Sequence, residues 1–285
     1  MTVQEIIDRI IRNAALPHPL ERSCDRLMTG DPGMSVTRIV TTFMATVEVI
    51  RQARSLGANL IITHEPTWFT GKDDTAWLEG NPVYEAKRTL IAGSGVAIWR
   101  YHDHMHMKKP DSIYTGILNE LGWGLYGRKP IVTSKAPPPD IPGSFTEGFQ
   151  DYYDIPAITL RELSAFFKKK LDMKRVRIIG NPAMVCSRVG ILVGGGSLGL
   201  GSESMPMEVM AAHDIHVMVC GDITEWTLPA YVNDAAMLGY QRALLIIGHE
   251  RSEEWGMKYM TQWLPDLIGG IPVSFVNAKE PFKYL

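Results

Sequence analysis

Histidine and carboxylate side chains recur in three short segments of this 285-residue sequence. The segments are His64-Glu65, residues 102–106 and residues 249–253, and each follows an apolar run that predicts a buried strand. Five of the eight histidines lie in them. Ligands in open α/β sheets gather beyond the carboxyl ends of strands, because side chains there escape the covering helices. Mixed imidazole and carboxylate donors suit Zn²⁺, Fe²⁺ or Mn²⁺, so the pattern predicts a transition-metal site.

The middle segment has three alternating histidines, His102, His104 and His106. On an extended strand all three would face one side, and Asp103 would face the other. Imidazoles crowded on one face repel one another when protonated, and a bound divalent cation keeps several of them neutral. A histidine at a strand end is more often a structural residue than a ligand, so an exposed cluster without function is the alternative.

The last segment places His249 and Glu253 four residues apart. Their side chains share one face if a helix begins near Ser252, which is a good N-cap residue. Further candidate donors are His102, His104, Asp222 and Glu250. All of these except His104 are also candidate proton acceptors, and the sequence does not rank them. No catalytic residue is therefore assigned.

A glycine-rich loop at residues 194–201 follows the predicted strand 189–193 and contains the pattern G-x-G-x-x-G. Asp222 ends the next predicted strand, as an acidic residue does in dinucleotide-binding folds. A dinucleotide site is therefore an alternative function for this chain. Against it, the next helix is predicted near Pro206, whereas a helix that binds pyrophosphate begins at the end of the loop.

Strands and helices alternate along the sequence. The predicted strands cover residues 38–44, 60–63, 96–99, 189–193, 217–219 and 243–247. Segments of helical periodicity separate them, which is typical of βαβ units, so we predict an α/β protein with mostly parallel sheets. A Pro-, Gly- and Asp-containing stretch, which includes Pro137-Pro138-Pro139, predicts a linker. We therefore divide the chain into a first half (1–125), a linker (126–158) and a second half (159–285).

The two halves repeat the same order of segments. Residues 36–39 resemble residues 186–189, and residues 59–65 align with residues 216–222. The third strand of each half leads to a histidine, with a further donor four residues later. These pairs are His102 with His106 and His249 with Glu253. We therefore predict two similar α/β halves.

Composition argues against several classes of protein. The net charge is −2, so no positive field attracts phosphate backbones or anionic lipid, and nucleic-acid binding is not expected. The sequence lacks a leader-like start and an apolar run of the ~20 residues that span a bilayer. The three cysteines, Cys24, Cys186 and Cys220, are widely separated, which favours a reducing compartment. We interpret them as buried apolar residues and expect a soluble cytoplasmic protein.

Three stretches carry a resemblance to a known family: residues 60–66 (LIITHEP), 220–223 (CGDI) and 248–253 (GHERSE). In order and spacing, along nearly the whole chain, they resemble the NIF-three-like (NGG-one-interacting factor three) family, also labelled GTP cyclohydrolase I type 2 homologues. The Gly-His-x-x-Ser-Glu element is the most specific of them. The resemblance implies two α/β halves whose sheets face each other across a dinuclear metal site, assembled as a toroidal homohexamer. The linker is too short for the third domain that family members often carry there.

Carried over position by position, the resemblance implies five metal ligands, which are His64, Glu65, His106, His249 and Glu253. The family usually has a histidine at the position of Glu65 and an aspartate at that of His106. Together the two replacements keep one imidazole and one carboxylate, and both can bind metal. His102 matches a family histidine beside the site, whereas His104 is additional. Near Trp226 the family commonly has a histidine, which this chain lacks.

The resemblance also implies a function. It suggests two divalent ions, of Zn, Fe or Mn, in a cyclohydrolase-like hydrolase that activates water for attack on a small molecule. A purine nucleotide or related heterocycle is the substrate class that the family label suggests. Two alternatives of another kind stay open, a metal-delivery protein and a partner-binding scaffold, both without turnover.

Overall fold

The computed structural model describes residues 1–20, 22–126, 129–130 and 151–284. Its strands are β1 (Leu27–Thr29), β2 (Ile39–Thr42), β3 (Leu60–Thr63), β4 (Ala97–Arg100), β5 (Lys129–Pro130), β6 (Asp151–Thr159), β7 (Arg177–Ile179), β8 (Val185–Leu192), β9 (Val217–Cys220), β10 (Ala243–Ile246) and β11 (Val273–Phe275). Its α-helices are α1 (Val3–Ala14), α2 (Val47–Ser55), α3 (Pro82–Ser94), α4 (Asp103–Met107), α5 (Ser112–Leu121), α6 (Leu160–Lys170), α7 (Met205–Ala212), α8 (Leu228–Met237) and α9 (His249–Leu267). Among the described residues, none of these helices is long and apolar enough to cross a bilayer.

The described chain divides into two compact units, residues 1–116 with 254–285, and residues 117–253. The first unit contains a five-stranded sheet in the order β1-β4-β3-β2-β11. Strands β4, β3, β2 and β11 are parallel, and β1 pairs with β4 in the antiparallel sense. Every residue of β2, β3 and β4 is buried. Such uniform burial is typical of parallel strands that are covered on both faces.

Local sequence signals start the helices of the first unit. Helix α1 begins with a capping box, in which Thr2 accepts from the Glu5 N–H and the Glu5 side chain accepts from the Thr2 N–H. Thr46 caps α2 by accepting the Val49 N–H, and Asn81 caps α3, which has Pro82 in its first turn. The apolar faces of α2 and α3 then join the buried side chains of β2, β3 and β4 in one core.

The second unit contains a six-stranded sheet in the order β5-β6-β8-β9-β10-β7. Its central strands β8, β9 and β10 are parallel, whereas β5, β6 and β7 pair in the antiparallel sense. Across both sheets, five of the nine strand pairings are parallel. The predicted α/β class with mostly parallel sheets is therefore confirmed. The antiparallel edge strands were not predicted.

The observed division of the chain differs from the predicted halves in two respects. Strand β11 pairs with β2, so the end of the chain belongs to the first unit and not to the predicted second half. Strand β6 occupies most of the predicted end of the linker. Its Tyr153 and Ile155 are buried at alternate positions, as in a strand. Pro156 has no backbone N–H, and it lies beyond the residues that pair with β5, so no hydrogen bond to β5 is lost there. Residues 131–150 of the predicted linker, with the triple proline, lie outside the described residues.

Candidate metal centre

Strands β3 and β4 bring the first candidate donors to one edge of the sheet. The two strands are parallel neighbours, with Thr63 opposite Arg100. His64 and Glu65 follow Thr63, and His102 comes two residues after Arg100. Because both strands end at the same edge, the side chains converge there, as expected for strand ends in such sheets.

Three imidazole rings contact one another at this edge, and we call His64, His102 and His106 the histidine cluster. The ring centroids of His64 and His102 are 4.5 Å apart, and that of His106 lies 4.9 Å from each. One potential ligand atom from each residue lies within 4.8 Å of those of the other two. His64 and His106 are buried, with 0% and 4% exposure. Buried rings at this spacing favour the neutral state or a shared cation, because protonated rings would repel one another.

Hydrogen bonds at Nδ1 hold two rings of the histidine cluster. Nδ1 of His64 is 3.3 Å from the carbonyl oxygen of Tyr101. Nδ1 of His102 is 2.8 Å from Oδ1 of Asp103. Both partners are acceptors, so each neutral ring carries its proton on Nδ1 and its lone pair on Nε2. Metal-binding histidines have the same arrangement, in which a carbonyl or carboxylate orients the ring.

Asp111 holds the third ring and also starts a helix. Its Oδ2 atom is 3.0 Å from Nδ1 of His106. Its Oδ1 atom accepts the backbone N–H groups of Ile113 and Tyr114 in the first turn of α5. Asp111 is 4% exposed, so this bridge between helix and imidazole is buried. Asp111 was not predicted from the sequence, although an aspartate just before a helix is a recognisable N-cap.

Residues 103–107 form the helix α4, so the prediction of an extended strand with three histidines on one face is wrong. On a helix, His102 and His106 lie one turn apart, whereas His104 projects from another side. Nδ1 of His104 is 2.7 Å from Oδ2 of Asp25, which also accepts the backbone N–H groups of residues 102–104. Asp25 therefore caps α4 and holds His104 apart from the histidine cluster.

Glu65 lies between a buried cation and the histidine cluster. Its Oε2 atom is 3.2 Å from Nη2 of Arg100, and its Oε1 atom is 3.9 Å from Nε2 of His102. Arg100 also donates to the carbonyl oxygens of His64 and Gly71. Arg100 thereby positions the segment that carries His64 and Glu65. Arg100 was not predicted from the sequence, although a charged residue at the end of an otherwise apolar strand was a signal for it.

Cys24 lies beside the histidine cluster and is not the fully buried apolar residue that was predicted. It is partly exposed, its N–H donates to Asp103, and its Sγ is 3.3 Å from the same carboxylate. Burial and the charge of Asp103 raise the pKa of the Cys24 thiol strongly, so it stays protonated. Burial alone would raise the pKa of Asp103, but hydrogen bonds from His102 and Cys24 outweigh it and hold that pKa well below its usual range. Cys24, His102 and Asp103 form a second candidate donor group.

In the second unit His249 lies between two carboxylates, and we call His249, Glu253 and Asp222 the His249 cluster. Helix α9 begins at His249, so His249 and Glu253 share a face, as predicted for a helical segment. Nδ1 of His249 is 2.7 Å from Oδ2 of Asp222, and Nε2 is 3.0 Å from Oε2 of Glu253. A ring that donates from Nδ1 presents a lone pair at Nε2. With the proton on Nδ1, a proton or a metal cation between Nε2 and the carboxylate of Glu253 would satisfy both groups.

Ser252 connects the glycine-rich loop to α9 and is not the N-cap that was predicted. Its buried hydroxyl accepts from the Gly194 N–H at 2.9 Å and donates to the carbonyl oxygen of His249 at 2.7 Å. Gly194 has φ +49°, and a Cβ atom there would overlap the carboxylate of Glu253 and lie 2.8 Å from Nε2 of His249. Only glycine leaves this space beside the His249 cluster.

The glycine-rich loop is therefore a wall of the His249 cluster. Gly194–Leu198 forms a 3-10 helix, and α7 begins only at Met205. The carbonyl oxygen of Gly194 accepts from the Asp222 N–H. A pyrophosphate-binding loop instead leads directly into a helix whose first N–H groups face the ligand. This geometry argues against the dinucleotide alternative.

Two other residues singled out in the sequence occupy different environments. Glu250 is 6% exposed, and its Oε2 is 3.3 Å from Nε of Arg251. This pairing with a cation makes it a weaker candidate proton acceptor than His102. Trp226 lies near the position where the resemblance led us to expect a histidine, and its side chain is 76% exposed.

The α/β sheets and the two donor clusters define a protein with candidate transition-metal ligands in both units. A comparison with protein families identifies the group to which it belongs. The chain is a member of the Duf34/NIF3 (NGG1p interacting factor 3) family, whose model matches residues 1–281.

Individual relatives have the same extent as this chain. A curated protein of Clostridium perfringens, named GTP cyclohydrolase 1 type 2 homolog, is 25% identical over the full length of both chains. A hypothetical protein of Staphylococcus aureus has a similar solved structure, with a TM-score of 0.71, 20% identity and coverage of 100% of this chain and 99% of that one. A Bacillus cereus protein related to NIF3 gives a TM-score of 0.70 at 16% identity, with the same coverage. At these identities the structural comparisons show the fold alone.

Proposed function

We propose that this protein binds divalent transition-metal ions and uses them to hydrolyse a small molecule. The ligands in this proposal are His64, Glu65 and His106 in the first unit, and His249 and Glu253 in the second. The observation that carries it is the orientation of the imidazoles. Acceptors at Nδ1 place the lone pair of each ring on Nε2, and two of these acceptors are the carboxylates of Asp111 and Asp222.

The donor chemistry supports Zn²⁺, Fe²⁺ or Mn²⁺, because imidazole and carboxylate together suit these ions better than Mg²⁺ or Ca²⁺. Five ligands exceed the four of a tetrahedral site, so we propose two ions per chain. The glycine-lined space beside His249 and Glu253 is consistent with an ion at that pair.

A bound divalent ion supplies a Lewis acid, which lowers the pKa of water and polarises the bond to be cleaved. The chain's own residues orient the donors and move the proton. Arg100 holds Glu65, Asp103 holds His102, and Asp222 holds His249. His102 is partly exposed and presents its lone pair on Nε2, so we assign it as the proton acceptor.

The relative named GTP cyclohydrolase 1 type 2 homolog suggests a heterocyclic or nucleotide substrate for this chain. Further proposals that the family membership supports are a homohexamer and, with all three cysteines free, a cytoplasmic location.

Two measurements test the proposed function. Protein purified without oxygen and loaded with Zn²⁺, Fe²⁺ or Mn²⁺ should hold up to two ions per chain by elemental analysis. The loaded protein should hydrolyse at least one member of a panel of nucleotides, cyclic nucleotides and esters, and chelation should stop the reaction. Bound, readily exchangeable metal without hydrolysis would favour metal delivery, and absence of bound metal would overturn the proposal.

A further inference from the structure

A cavity of about 970 Å³ lies in the first unit, between α2, α3 and residues 65–71. This volume is near the upper end of the range for small-molecule sites, roughly 300–1,000 Å³. Most of the lining is apolar, and it includes Met44, Val47, Phe69, Pro82, Val83 and Leu90. The charged side chains among the described lining residues are Arg51, Glu65 and Lys87.

Lys87 is a buried cation in the wall of this cavity, with 8% exposure. Its Nζ donates to the carbonyl oxygen of Thr67 at 2.6 Å and lies 5.0 Å from the ring centroid of Phe69. In the part of the chain that the structure describes, no carboxylate lies within ion-pair distance of this ammonium group. Burial lowers the pKa of Lys87 to about 8, with the charge of Asp73 acting in the opposite direction, so the group is mostly protonated at pH 7. A buried charge whose direct contacts are all neutral groups favours binding of an anion.

Phe69 forms an aromatic surface next to this cation. Its φ angle is +73°, a backbone conformation that is unfavourable for a bulky residue. Its side chain is 54% exposed although it is large and apolar. Strained backbone of this kind persists where the surrounding structure requires it, often at ligand sites. An exposed ring beside an ammonium group suits a ligand with an aromatic body and a negative charge.

We propose that this cavity binds an organic anion with an apolar, aromatic body. The anionic group pairs with Nζ of Lys87, and the aromatic body packs on Phe69 and the aliphatic wall. Glu65 lines the cavity and is also 3.9 Å from the ring of His102, so the cavity adjoins the histidine cluster. Assigning this ligand as the substrate of the metal site rests on the proposed function, whereas the binding itself does not.

Two fluorescent probes of matched shape test the proposal. One is 8-anilinonaphthalene-1-sulfonate, and the other is N-phenyl-1-naphthylamine, which lacks the sulfonate. Titrations use the full chain after treatment with EDTA, and again after loading with Zn²⁺. Binding of the sulfonate probe with and without metal is expected. Such binding supports the cavity even where no metal binds or no hydrolysis is found, so failure of the two proposals can be told apart.

Three variants separate charge from volume. Lys87→Met keeps the apolar volume and removes the charge, so it should weaken the sulfonate probe roughly ten-fold or more and the neutral probe less than about two-fold. Ala86→Trp fills the cavity from an exposed position of α3 and should abolish binding of both probes. Ala92→Trp, at an exposed position of the same helix outside the cavity, is the matched control and should change neither.

Circular dichroism of each variant confirms that the fold is retained. Equal weakening of both probes by Lys87→Met would overturn the assignment of the anionic group. Unchanged binding in Ala86→Trp, or equal loss in Ala92→Trp, would overturn the assignment of the cavity. Absence of probe binding to the unmodified chain would overturn both.

Discussion

The candidate histidine ligands differ in the group that holds Nδ1 of the ring. His64 donates to a neutral carbonyl oxygen, whereas His106 and His249 donate to the carboxylates of Asp111 and Asp222. A carboxylate partner makes the other ring nitrogen a stronger donor and fixes the ring more firmly. We therefore expect His106 and His249 to contribute more to metal affinity than His64 does.

Replacing His249 or His106 by Ala should lower the metal content at limiting metal, because each removes an oriented donor. We expect metal affinity to fall at least about ten-fold. Removing a residue that only orients a metal ligand already lowers the affinity by about that factor. His104→Ala is the matched control, since the ring of His104 is held by Asp25. The measurements are ions per chain and the thermal midpoint, after equal exposure to Zn²⁺ and to Fe²⁺ without oxygen. Unchanged metal content in His249→Ala and His106→Ala, or a loss confined to His104→Ala, would contradict the ligand assignment.

At the scale of elements, α4 depends on a residue distant in sequence. Asp25, 77 positions before His102, accepts the N–H groups of residues 102–104. The four orphan N–H groups at a helix start need such acceptors, and α4 has only five residues to stabilise it. The position of His106 on α4 therefore depends on Asp25.

Asp25→Ala should lower the free energy of unfolding by about 2 kcal/mol, the upper end for loss of a helix cap, and should also weaken metal binding. Asp25→Asn keeps one acceptor oxygen and should cost less. Urea unfolding and metal titration measure the two effects. Asp8→Ala, at an exposed position of α1, controls for loss of an aspartate. If Asp25→Ala matches Asp8→Ala in both measurements, the cap has no role in holding the helix.

Helix α3 carries a second prediction, which concerns pH. The pKa of Lys87 is about 8 in the folded chain, below its ordinary value of 10.5. Between these values the unfolded chain holds a proton that the folded chain has released, so stability rises with pH. Relative to Lys87→Met, the unfolding free energy of the unmodified chain should rise by up to about 3 kcal/mol from pH 7 to 10.5. Lys169→Met, at an exposed position of α6, is the control, and a pH dependence equal to that of this control would contradict the buried charge.

At the scale of the whole molecule, the second unit exposes large apolar side chains within one short segment. Met237, Leu238 and Tyr240, at the end of α8 and after it, are 81%, 76% and 65% exposed. Exposed apolar groups at this density are typical of a surface that another protein covers. A second copy of this chain is the partner that the proposed homohexamer requires.

Sedimentation velocity at micromolar concentration should therefore give a particle several times heavier than the 31.8 kDa chain, with six copies as the expected number. Leu238→Glu should shift the distribution towards smaller species, because it places a charge on the apolar surface. Ala92→Glu, at an exposed position of α3, is the control. A single 31.8 kDa species for the unmodified chain would rule out the assembly.

Features with local causes were predictable from the sequence. The capping box of Thr2 and Glu5 depends on residues three apart, and the uniform burial of β3 follows from four consecutive apolar or β-branched residues. The shared face of His249 and Glu253 follows from helical periodicity alone. The α/β class and the candidate donors at strand ends were therefore predictable before any contact between distant residues was known.

Features that depend on distant contacts were decided only by the tertiary structure. Asp25 caps α4, β11 returns to pair with β2, and Gly194 makes room for Glu253. The alternation of His102, His104 and His106 fits a strand as well as a helix, and the cap from Asp25 selects the helix. Periodicity describes what a segment buries, whereas the partner it is buried against is set by packing and by hydrogen bonds across the chain. The sequence by itself determined most of the candidate donors, and the tertiary structure decided which of them meet.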